Sequence, residues 1–78
     1  MDGPVPSAGL HHGRVATFDR RRGLGTVADD AGPSYGFHAT AIADGSRCIE
    51  VGAAVMFLVA PGHRGLYEAR SLVSLPTG

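Results

Sequence analysis

The sequence predicts an all-β domain in which five short antiparallel strands close into a small barrel. Three observations carry that expectation. No segment keeps a 3.6-residue apolar period over the length of a helix. From Gly13 onward, short β-prone runs are separated by clusters of Gly, Asp and Pro, the punctuation of strands and turns. A chain of 78 residues with no covering helix cannot hide the apolar face and both edges of a flat sheet, so the sheet must close on itself.

Residues 1–12 contain Gly3, Pro4, Pro6 and Gly9 with little apolar content after Val5, which predicts a mobile leader ahead of a barrel over 13–78. Arg14 to Asp19 is the expected first strand, with Val15 and Phe18 as core candidates. Arg20 to Gly23 is a tight basic turn, Leu24 to Ala28 the second strand, and Asp29 to Pro33 a second turn. Ser34 to His38 is a short third strand. Ala39 to Gly52 is the longest connection, with a helical turn expected around Thr40 to Ile42. Ala53 to Ala60 alternates, with Val55, Phe57 and Val59 on one face and Met56 and Leu58 on the other. Pro61 to Gly65 turns the chain into a fifth strand over Leu66 to Leu75.

Composition narrows the function classes. The single cysteine, Cys48, rules out an intrachain disulfide and argues against a secreted disulfide scaffold. The N-terminus lacks the basic start and apolar run of a signal peptide, and no apolar stretch approaches the roughly 20 residues that cross a bilayer. A cytoplasmic protein without membrane contact is expected. The 7 basic residues are all Arg and are balanced by 7 acidic ones, so any affinity for polyanions must come from local patches such as Arg20-Arg21-Arg22. His11 and His12 are adjacent, His38 and His63 stand far away, and Cys48 has no partner at zinc-site spacing, so no metal or other cofactor is expected. No nucleophile has a partner base and no carboxylate pair is framed by motif glycines, so neither an enzyme nor a small-molecule substrate is expected.

Arg22-Gly23-Leu24-Gly25-Thr26-Val27 places a basic residue, two glycines and a β-branched end at the spacing of the first RNA-binding signature of β-sheet nucleic-acid binders. Upstream stands Gly13-x-Val15-x-x-Phe18-Asp19. Downstream come Phe37-His38-x-Thr40-Ala41-Ile42, then Ile49-Glu50-x-Gly52-x-x-Val55-x-Phe57, then Gly62-x-Arg64-Gly65 with Ala69 shortly after. In this order and at these loop lengths, the set resembles the bacterial cold-shock domain over Gly13 to about Leu75.

The resemblance implies an OB-type barrel that binds single-stranded RNA or DNA with little sequence preference, acting as an RNA chaperone or in transcription and translation regulation. Its implied mechanism is stacking of bases on aromatics of the first three strands, flanked by basic residues. The matching surface here is Thr17, Phe18, Arg22, Leu24, Thr26, Gly36, His38, Ala39 and Arg64. The chain departs from the family where those aromatics belong. Thr17 replaces a Trp, Leu24 and Thr26 replace two Phe, Gly36 and Ala39 replace two more, and Ser46 replaces an aromatic of the long loop. Phe18, Arg22, His38, Arg47 (for a Lys) and Arg64 are retained. Weak, salt-dependent binding is therefore expected, with Arg22, His38 and Arg64 supplying the energy.

Each position also has a plainer reading. Arg20 to Arg22 reads as phosphate contacts or as a solvated turn neutralised by Asp19, Asp29 and Asp30; His38 as a base contact or a backbone-satisfied histidine. Phe37 reads as core, Phe18 as core edge or binding face, and Leu24 as exposed. The rival function is a protein-interaction module, in which the softened face of Thr17, Leu24, Thr26 and Ala39 receives a protein segment or a second copy of the chain.

Overall fold

The computed structural model describes residues 9–62 and 65–75. Five strands, β1 (His11–Asp19), β2 (Leu24–Asp29), β3 (Ser34–His38), β4 (Ala54–Pro61) and β5 (Tyr67–Ser74), form a closed barrel in the order β1-β2-β3-β5-β4. Four of the five contacts are antiparallel, and the barrel closes through a parallel contact between β3 and β5. Among the described residues helical geometry is confined to a 3-10 turn, Ala39–Ala41, set one residue earlier than the sequence suggests, and to the single residue Gly65. Among the described residues no helix is long and apolar enough to cross a membrane.

The first strand begins at His11 rather than Arg14, because His11 and His12 pair with Phe57 and Met56 of β4. Two residues read as leader thus belong to the barrel. Residues 1–8 of the expected leader lie outside the described residues.

The core is built from inward positions of every strand: Val15, Val27, Phe37, Val55, Phe57, Ala69 and Leu72 are nearly inaccessible. Two bulges tune this alternation. In β1, Val15 pairs with Val27 and Thr17 with Thr26, which leaves Ala16 without a partner. Strict alternation from Val15 would point Thr17 inward and Phe18 outward; the extra residue reverses both. In β5, Arg70 pairs with Leu58 and Val73 with Met56, so Ser71 and Leu72 share one place opposite Phe57. That bulge turns both Ala69 and Leu72 inward, and Ser71 takes a left-handed φ of 55°. The long connection adds Ile42 and Ile49, both buried, as plugs.

Candidate nucleic-acid interface

The β1–β2–β3 sheet presents its outer side as one continuous surface. Thr17, Thr26 and Gly36 form a cross-strand row, and Leu24 pairs with His38 in the next row toward the β1–β2 turn. Five of the nine residues matched to a binding surface, Thr17, Leu24, Thr26, Gly36 and His38, therefore share one face. Its chemistry is soft: the Thr17 and Thr26 hydroxyls hydrogen-bond each other at 2.8 Å, Leu24 is 50% exposed, and Gly36 leaves a gap. A Cβ added at Gly36 would meet only the Gly25 carbonyl oxygen, at 3.8 Å, so the gap is room rather than a steric requirement.

His38 is exposed and ends β3. Its Nδ1 accepts the Thr40 N–H at 3.2 Å and lies 3.0 Å from the Thr40 hydroxyl. An Nδ1 that accepts a backbone N–H carries no proton, so the neutral ring holds its proton on Nε2 and is a donor there. The anchoring explains why the ring stands at a fixed place beside Leu24.

Arg22 sits in the β1–β2 turn, not on the sheet. The Asp19 carboxylate accepts the N–H groups of Arg21 and Arg22 at 3.0 and 3.2 Å, and Gly23, at φ 68°, donates to the Asp19 carbonyl at 2.8 Å. The left-handed φ suits glycine and lets the turn close. Asp19 thus shapes the backbone. Among the described residues no carboxylate lies within ion-pair distance of Arg20, Arg21 or Arg22. Asp29, considered as a neutralising neighbour, is buried and bound to His11 instead.

Two of the matched residues lie elsewhere. Ala39 is buried, because the first residue of the 3-10 turn tucks against Gly23, to whose carbonyl it donates at 2.8 Å. It belongs to neither a binding face nor a docking face. Phe18 is partly buried and stacks on Phe37 with ring centroids 5.8 Å apart and planes at 4°. Both rings close over Gly25, where an added Cβ would come within 2.7 Å of the Phe37 ring. Phe18 is accordingly the rim of the core. Arg64 falls outside the described residues.

At the far end of β2 sits a cluster the sequence reading missed. His11 stacks on Phe57 at 5.5 Å and meets Tyr35 edge-on, while its Nδ1 bonds the Asp29 carboxylate. Burial pushes the Asp29 carboxyl up. The hydrogen bonds from the Ala31 N–H and His11, with the charges of His11 and His12, outweigh that and hold it below the usual carboxylate range. Burial, then the Asp29 charge, raises the Tyr35 hydroxyl. Nothing in the sequence marked this pair, since its members stand 18 residues apart in a supposed leader and a supposed turn. Among the described residues no three His, Cys, Asp or Glu side chains converge as a metal site would require.

The chain matches no protein-family model and no curated protein.

Proposed function

We propose that this protein binds single-stranded nucleic acid, RNA or DNA, on the outer face of β1–β2–β3, as its resemblance to cold-shock domains suggests. The observation that carries the reading is convergence. Residues spread from Thr17 to His38 in sequence share one open face, with three guanidinium groups at its turn that have no ion-pair partner among the described residues, and an imidazole donor at its edge. Phosphates contact Arg20, Arg21 and Arg22, His38 donates to a base or phosphate, and Leu24 supplies an apolar surface for a base. With few aromatic faces to stack on, binding is weak and electrostatic, and it belongs to a cytoplasmic setting in which single strands occur.

A second reading, a protein-interaction surface, draws support from the uncharged stretch Thr17, Leu24, Thr26 and Gly36, where an apolar segment or a second copy of the chain would also fit. Fluorescence anisotropy with short RNA and DNA single strands across a salt series separates the two. Affinity that falls linearly on a log–log salt plot supports nucleic acid. Absence of binding at low salt favours the protein partner.

A further inference from the structure

The barrel is thinnest where β5 meets β3 and the 3-10 turn. Two parallel bridges, Gly36 with Glu68 and Ile42 with Leu72, hold this seam. A cleft of about 640 Å³ opens along it, lined by His38, Thr40, Ala41, Glu68, Arg70 and Ser71 among others. That volume falls in the range of small-molecule sites, about 300–1,000 Å³. His38 belongs to both the cleft and the outer face of β3, so the two surfaces are continuous.

The polar lining is rich in donors. Arg70 brings a guanidinium, Ser71 a hydroxyl and His38 its Nε2–H, while the Thr40 hydroxyl gives its proton to the His38 Nδ1, 3.0 Å away. Glu68 is the one carboxylate among the lining residues. It lies 3.8 Å from Arg70, with side chains 40% and 56% exposed, so the pair is loose and leaves most guanidinium donors open. Glu68 is also committed elsewhere: its side chain lies across Gly62, where an added Cβ would strike the carboxylate. The β5 bulge supports the arrangement by turning Arg70 outward and holding Ser71 in its left-handed conformation. Such strain in a non-glycine residue gathers at binding sites. A donor-rich cleft with one preoccupied acid suits an anion with several acceptor oxygens, as a phosphodiester has.

We infer that the seam cleft holds one nucleotide of the same strand that crosses the outer face, its phosphate on Arg70 and the Ser71 hydroxyl. This inference rests on the nucleic-acid reading and lengthens the footprint past His38 onto β5.

The test titrates the ¹⁵N-labelled full chain with heptauridylate and, separately, heptathymidylate. Amide shifts at Thr40, Arg70 and Ser71, together with Thr26 and Gly36, are expected with both, since both carry the phosphodiester. Arg70→Ala should weaken each by about three- to tenfold with an unchanged melting temperature. Glu68→Gln should tighten both. Shifts at Thr26 and Gly36 with a silent seam overturn the cleft site and leave the face intact; shifts at the seam alone, or nowhere, overturn the reading on which it rests. Seam shifts with only one of the two strands overturn the phosphate assignment. So does weaker binding by Glu68→Gln, because the carboxylate would then be accepting from a base.

Discussion

The Thr17 and Thr26 hydroxyls share one hydrogen bond on the outer face, which offers a ligand polar atoms but no π-face. Base–aromatic stacks contribute about 1–3 kcal/mol per base. Leu24→Phe with Thr26→Phe should therefore strengthen oligonucleotide binding by about that amount per recovered stack. Both side chains leave the sheet away from the core, so the melting temperature should move little. A double variant that folds normally and binds no better than the parent points to a protein partner instead. Asp29 supplies a second test at this scale. Its carboxyl is held below the ordinary value of 3.8, so the ionised form is the one the fold prefers. That stability is present above the unfolded value and is lost as pH falls through the folded one. Asp29→Asn should melt earlier than the parent at pH 7, with His11, His12, Asp30 and Tyr35 around it unchanged. The gap should close on acidification below about pH 4. A gap constant with pH would mean that shape rather than charge holds the pair.

The elements show what a sequence pattern conveys and what it conceals. β2, β3 and β4 are legible because short β-prone runs stand between punctuating turns, with Tyr35 and Phe37 in β3 and Val55 and Phe57 in β4 at alternate, inward positions. The start of β1 is not legible, because His11 and His12 carry no strand signal of their own and are ordered by β4, more than forty positions away in the chain. Ala39 reads as exposed by analogy with a surface position, but the 3-10 turn rotates it against Gly23, and an alanine gives no sign of which way it faces. Arg70 is one of two charges on a strand, with Glu68, until β5 closes the barrel beside Thr40. The β1 bulge is the clearest case, since the spacing of Val15 and Phe18 makes sense only with Ala16 unpaired. Deleting Ala16 puts Thr17 directly after Val15, so regular alternation still keeps Val15 and Phe18 inward and Thr17 outward, and only the local bend is lost. Urea unfolding should therefore place the midpoint of the deletion variant near the parent's. A midpoint that collapses would mean that the barrel needs the bend itself and not only the phase it sets.

At the scale of the whole molecule, charge is distributed rather than accumulated. Equal numbers of basic and acidic residues leave no net field to steer a polyanion, so association relies on where the arginines stand. Three stand together in the β1–β2 turn, and that turn is shaped by backbone bonds to Asp19 and by Gly23, not by the arginine side chains. Fold and binding are therefore separable in this segment. Reversing the charges, Arg20→Glu with Arg21→Glu and Arg22→Glu, should leave the melting temperature close to the parent's, because the carboxylate that organises the turn is untouched. If each arginine neutralises one phosphate of a single strand, each contributes about 0.7 to the slope of log affinity against log salt. The parent should then show a slope of about −2 or steeper, and the reversed variant should lose binding at every salt concentration, first of all at low salt where the parent binds best. Anisotropy over the same salt series reads both quantities. A triple variant that folds, and binds single strands with the parent's affinity and slope, would remove the turn from the interface. Single strands would then be held by cations elsewhere, Arg70 of the seam first among them, and the footprint would shift toward β5.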